Sequence, residues 1–342
     1  ASTETNKTVA RNTKAGSRFG IHKYSAHVEH WRQGDPTWKD GRGKGIIGAL
    51  NYLSSQGINS VYALTMNAPK GDGKDVFMWL NTSDYTRFDV SKLAQWNIVM
   101  GHANTVGIQM HLVTGEREND TELWGDKLSH ERKLYYRELA ARFAHHLGIV
   151  WNIGEENGNS PAVRKAFCDY LRAQDAYAHP QVIHNWPGHK REQLSGHMDE
   201  IFGNLLGHPT FEGTSFQMQW IDDVHAVTLQ WRNRSAKAGR KWLVHHDESY
   251  PRNIKKNKEN ADYRKKTLWG NLMAGGAGVE FIMDGLLGND DFTQFAKTWK
   301  WLGAGTAFFM TLPLASMAPH DDLVSPRGKL DHCFAWPDNL YV

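Results

Sequence analysis

Residues 148–157, GIVWNIGEEN, form a short apolar run that breaks off in two adjacent carboxylates. A run of this length and composition suits a strand buried on both faces, the kind found in parallel sheets. Its flanks read as helices. Upstream, residues 130–147 carry Tyr136, Ala140, Phe143 and Leu147 at helical spacing. Downstream, Ser160 and Pro161 make a helix start ahead of the stripe Val163, Phe167, Tyr170 and Leu171.

The same alternation extends in both directions. Toward the start of the chain lie strand 108–114 (IQMHLVT), a helix capped by Asp89 with Leu93, Trp96, Met100 and Ala103 on one face, strand 58–65 (INSVYALT), a helix near 43–56 and a first strand at 18–24 (RFGIHKY). Toward the end come strands 181–186, 213–219, 241–247 and 279–284, helices 224–238 and 262–274, and a final helix at 291–311. Eight strand–helix units in residues 17–315 match the size of one closed (β/α)8 TIM barrel. The rival, a doubly wound open sheet, lacks support because neither G-x-G-x-x-G nor G-x-x-x-x-G-K-[ST] follows any strand. Residues 1–16, ASTETNKTVARNTKAG, are polar and read as a linker or tail without a secretory-signal pattern. Residues 316–342 are turn-rich, with strand-like HCFAW and NLYV, and read as the start of a C-terminal β-sandwich-like module that continues further.

Composition narrows the classes. The 342 residues are 40% hydrophobic and 23% charged, which excludes extended disorder and collagen-like repeats. Forty basic against 37 acidic residues leave +3, no case for nucleic acid as a partner. No apolar run approaches the roughly 18 residues of a membrane span. Cys168 and Cys333 make neither a disulfide framework nor a metal finger. No cofactor or resident metal is expected, and the sequence leaves the oligomeric state open.

Barrel chemistry sits at the C-terminal ends of the strands. There the sequence places His22 and Tyr24 at the end of strand one, His111 and Glu116 on and after strand three, Glu155 and Glu156 at the end of strand four, and His184 and Trp186 at the end of strand five. Strand six contributes Gln217, strand seven His246, Asp247 and Glu248, and strand eight Asp284. Two-residue alternation turns Glu156 inward with Asn152, because the other phase would bury Asn152 against helices without a partner. On strand seven the two phases are almost equally apolar, so alternation does not choose between Glu248 and Asp247. Two carboxyl groups flanked by aromatics and amides are the apparatus of glycoside hydrolysis, although strand-end acids also serve as helix caps or as partners of arginines such as Arg117 and Arg252.

Several blocks carry a resemblance: WNIGEEN (151–157), VHHDESYP (244–251), GDGKDVFMW (71–79), RFDVSKLAQW (87–96), ERKLYYRELAARFAHHLG (131–148) and WGNLMAGGAGVEF (269–281). Together they resemble the clan A glycoside hydrolase-like barrels, and more narrowly the apiosidase-like bacterial family with flanking β modules, one called collagen-binding. The resemblance implies a retaining glycoside hydrolase, secreted, periplasmic or on the cell surface, with the acid/base at Glu156 and the nucleophile at Glu248. It also exposes a departure, since Glu155 stands where the clan has Asn before the acid/base. Two other readings compete. One is a metal-dependent hydrolase using His22, His111, His184 and His245 or His246; the other is a carbohydrate-binding barrel without catalysis. Basic and imidazole groups following the strands, including Arg117, His189, Lys190, Arg191 and Lys255, suggest an anionic glycan such as a sulfated marine galactan.

Overall fold

The computed structural model describes residues 23–67, 76–81, 83–120, 124–188, 190–249, 259, 261–281 and 290–342. The chain forms two compact units. Unit one comprises Ala1–Ser55, Asn59–Trp186 and Leu286–Thr293. Its four strands, β1 (Ser60–Leu64), β2 (Gln109–Val113), β3 (Ile149–Asn152) and β4 (Gln181–His184), pair in parallel in chain order. The helices of this unit are α1 (Lys44–Ser55), α2 (Val90–Thr105), α3 (His130–Phe143) and α4 (Pro161–Gln174).

The helix starts follow from capping chemistry. The Asp89 side chain accepts the Lys92 N–H at 3.0 Å and Ser129 accepts that of Arg132 at 3.2 Å. Pro161 opens α4, where a missing N–H costs nothing. Tyr135, Tyr136, Leu139 and Phe143 make the buried face of α3. That helix ends four residues earlier than its periodicity suggests: the His146 N–H bonds back to Phe143 in a tight turn, and Leu147 is left 75% exposed. Of the expected first strand, residues 18–22 lie outside the described residues; after Tyr24 the chain winds into a 3-10 helix, Ser25–His30.

Unit two comprises Gln56–Ile58, Pro187–Gly285 and Gln294–Val342. It contains α5 (Arg191–Phe202), β5 (Gly213–Gln217), α6 (Val224–Lys237), β6 (Leu243–Glu248), α7 (Trp269–Met273), β7 (Gly278–Val279) and α8 (Ala296–Phe309). Strands β5, β6 and β7 are parallel. Trp242, just before β6, lies flat against Trp231 of α6, with ring centroids 6.0 Å apart and planes within 5°, and both rings are buried. A small antiparallel sheet, β8 (Ala318–Pro319), β9 (Phe334–Trp336) and β10 (Leu340–Tyr341), occupies the segment read as a β module. Met317 and Phe334 share a buried cluster with Met273 and Phe309, so this sheet shares a core with α7 and α8.

Strand–helix alternation with parallel strands is the expected α/β barrel class. In the sequence numbering, β3 is strand four, β6 strand seven and β7 the beginning of strand eight. Among the described residues no helix is long and apolar enough to cross a membrane.

Candidate active site

In unit one the register brings Tyr62, His111, Asn152 and His184 to one face of the sheet. The Asn152 amide donates to His111 Nε2 at 3.1 Å, and the Tyr62 hydroxyl lies 3.4 Å from His184 Nδ1. Trp151 points the other way and donates to Asp175 at the end of α4, so Asn152 takes the phase expected from alternation. Past Asn152 that alternation stops. Asn152 Oδ1 accepts the Gly154 N–H at 3.1 Å, and the chain turns sharply. A Cβ at Gly154 would lie 2.4 Å from Asn157 Nδ2, so only glycine fits there. Glu156 itself is left-handed, with φ +43°.

A buried guanidinium holds this turn. Arg164 donates from Nε to Asn157 Oδ1 at 3.1 Å and from Nη2 to the Asn157 carbonyl at 3.0 Å. Glu155 continues the sheet instead, bridging Glu116 through its backbone, and the Glu116 side chain is buried. The Glu156 side chain is 26% exposed, with the Arg117 guanidinium 4.0 Å away. That guanidinium also lies over the Trp186 ring, 4.7 Å from its centroid. One face of Trp186, among the expected site residues, is therefore covered by Arg117.

In unit two, Phe216 packs toward the helices against Phe202 and Trp231, so Ser215 and Gln217 point to the opposite face. The β5–β6 register runs Phe216 to His246 and then Gln217 to Glu248, leaving Asp247 as an extra residue. This bulge changes the side to which the residues after it point. His246 points at α6, and strict alternation would send Glu248 the same way. The extra residue reverses that: Ser215 donates to Asp247 Oδ2, and the Gln217 amide donates to Glu248 Oε2. Both acids thus reach the face away from the helices, and both are buried, Glu248 at 7% exposure.

Other expected site residues fare differently. His246 is fully buried, and its ring nitrogens face Thr228 at 3.1 Å and Ser249 at 2.8 Å, so none is left for a substrate. Burial, then the neighbouring His245, pushes its pKa down to about 3. Its assignment as a binding residue is corrected on that ground. Tyr24 is buried on Phe292, and burial followed by the Asp290 charge pushes its phenol up. His22 and Asp284 lie outside the described residues.

Within unit two, among its described residues, two groups of donors could hold a metal. In unit two the ligand atoms of His245, Asp247 and Glu280 lie within 4.8 Å of one another, as do those of His225, Asp321 and His332. Sequence reasoning missed Ser215, the Arg164 anchor and the bulge. A bulge leaves no signature in a strand whose two faces are equally apolar.

No protein-family profile matches the chain, and no curated protein sequence matches it. Solved structures do. A glycoside hydrolase family 5 structure from Bacteroides vulgatus aligns with a TM-score of 0.59 at 16% identity, covering 85% of this chain and 70% of its own length. A candidate glycoside hydrolase from the same species gives 0.56 at 16% identity over 86% of this chain, which spans 58% of that protein. A family 5 mannosidase from Rhizomucor miehei gives 0.51 at 10% identity, covering 79% and 89% of the two chains. These likenesses show the fold, the α/β barrel of such enzymes.

Proposed function

We propose that the chain is a retaining glycosidase acting on a polysaccharide or oligosaccharide outside the cytoplasm, with Glu156 as acid/base and Glu248 as nucleophile. The observation that carries this reading is the placement of Glu248: a buried carboxylate at a strand end, turned by a bulge away from the helices and held by the Gln217 amide. A nucleophile needs that fixity, because attack on the anomeric carbon follows one line. In the first step Glu248 bonds to the anomeric carbon while Glu156 gives its proton to the departing oxygen. In the second, Glu156 takes a proton from water, which displaces Glu248 and restores both groups.

The finer reading is an anionic, sulfated galactan. It rests on basic groups beside the strand ends, two of which already have acidic neighbours: Arg117 lies near Glu156 and Arg191 pairs with Asp223. Hydrolysis of a panel of neutral, uronate-containing and sulfated glycans, with the product anomer read by NMR, tests both levels. Release of sugar with retained configuration supports the assignment; inversion, or no hydrolysis of any glycan, removes it. Faster cleavage of desulfated than of sulfated chains removes the anionic reading alone. The metal-hydrolase alternative draws on His245, Asp247 and Glu280, and loss of hydrolysis on chelation would favour it.

A further inference from the structure

We propose that His225, Asp321 and His332 form a binding site for a zinc-class divalent cation that fastens the β8–β9 connection to the start of α6. All three residues belong to unit two, and the site is separate from the strand-end carboxylates. His225 is the second residue of α6, while Asp321 and His332 lie between β8 and β9. Their side chains are 8%, 12% and 9% exposed, and the ligand atoms of all three lie within 4.8 Å of one another.

The hydrogen-bond geometry fits ligation. His225 Nδ1 faces the Gly270 carbonyl at 3.0 Å, which places its proton on Nδ1. Nε2 lies 2.7 Å from Asp321 Oδ2 and donates to it while no ion is bound; a metal would take the place of that proton. A histidine whose far nitrogen donates to a backbone carbonyl is the usual second-shell arrangement of a metal-bound imidazole. His332 Nδ1 lies 3.7 Å from the same oxygen. Arg327 Nη2, a donor, approaches it at 3.3 Å, so this nitrogen presents a lone pair. The two imidazoles stack with centroids 3.5 Å apart and planes within 14°. The Cys333 N–H donates to Asp321 Oδ1 at 3.1 Å and anchors the carboxylate.

Two neutral imidazoles and one carboxylate are the donor set that zinc takes, with water in the fourth position. Metal–ligand bonds of about 2.0–2.1 Å put tetrahedral donor atoms roughly 3.3 Å apart, between the 2.7 and 3.7 Å separations seen here. The rings are stacked, so binding also requires one imidazole to turn about its side-chain bonds until both lone pairs meet the ion. Arg327, which donates to Asp321 Oδ2 at 2.5 Å and is 42% exposed, has room to withdraw and remain as an outer partner of the carboxylate.

The test uses the full chain without an affinity tag, stripped with chelator and titrated with zinc against a chromophoric competitor. One equivalent of zinc should bind, cobalt in its place should show the visible bands of a four-coordinate N/O site, and Tm should rise by about 5 °C at a hundredfold excess over Kd. His225→Asn keeps a donor for Gly270 and removes Nε2, so zinc affinity should fall at least about 30-fold with circular dichroism unchanged; Asp321→Asn should do the same. Arg327→Gln removes the competing cation and should tighten binding. Absence of stoichiometric zinc in the unmodified chain overturns the proposal, as does undiminished binding by either ligand variant. The measurement on the unmodified chain decides even if a variant fails to fold.

Discussion

The ends of β3 and β6 each present two adjacent acidic residues, Glu155–Glu156 and Asp247–Glu248, and hold them in opposite ways. After β3 the strand has already ended. Glu156 sits in a left-handed turn, partly exposed and beside Arg117, while the turn is pinned from below by Arg164. At β6 the strand continues through a bulge, and Glu248 is buried with its carboxylate on the Gln217 amide. The contrast matches the two roles in a retaining displacement. A group that trades a proton with water benefits from access, and one that forms a bond must not wander.

The largest expected effect breaks the pair by leaving group. On a natural glycan, Glu248→Gln and Glu156→Gln should each lower turnover by roughly 10³- to 10⁴-fold. On an aryl glycoside with a good leaving group Glu156→Gln should recover most of its glycosylation rate, since no proton is needed, while Glu248→Gln should not. Steady-state and burst kinetics on the two substrates check this. Equal losses for both variants on both substrates would deny the two acids different roles.

A smaller effect is expected from the support of Glu248. Gln217→Ala removes one donor to the carboxylate and should cost about tenfold in kcat with little change in Tm. An unchanged kcat would show that the bulge alone fixes Glu248.

Stability should separate the two ends next. A left-handed non-glycine residue costs on the order of 1 kcal/mol, and Asn tolerates that conformation better than Glu. Glu156→Asn is therefore expected to raise stability by about 0.5–1 kcal/mol. Glu248→Asn is expected to lower it by about 1–2 kcal/mol, because the Gln217 amide loses its acceptor. Urea denaturation measures both; the same sign for both would contradict the contrast.

Much of this was legible in the sequence, and the reasons are specific. Asp89 and Pro161 marked helix starts because a capping carboxylate and a proline without an N–H act locally, and Trp151 and Asn152 took opposite faces as alternation required. The stripe Leu194, Met198, Ile201 and Phe202 of α5 was equally readable and was not among the expected helices. Three features could not be read. The left-handed turn at Glu156 depends on Arg164, seven residues beyond Asn157 in sequence. The side to which Glu248 points depends on one unpaired residue in β6. His246 resembled a site histidine until Thr228 and Ser249 were found on its ring.

That buried histidine supplies the smallest effect. In the folded chain it titrates near pH 3, against about 6.5 when unfolded. Protons therefore bind the unfolded chain first. Its contribution to stability is full above about pH 6.5 and declines as pH falls toward 3, by up to about 1.4 kcal/mol per unit. His246→Gln should flatten the denaturation profile across that window, and an unchanged slope would place the acid sensitivity elsewhere, for example on His27 and His146, both held at about 4 mainly by burial.

The role of Glu248 is tested most directly by trapping the intermediate. The enzyme would be treated with a 2-deoxy-2-fluoro glycoside of a sugar it hydrolyses, digested, and the labelled peptide sequenced by mass spectrometry. The account predicts one glycosyl adduct per chain, carried as an ester on Glu248. An adduct on Asp247, or a complete absence of adduct with product of inverted configuration, would contradict it.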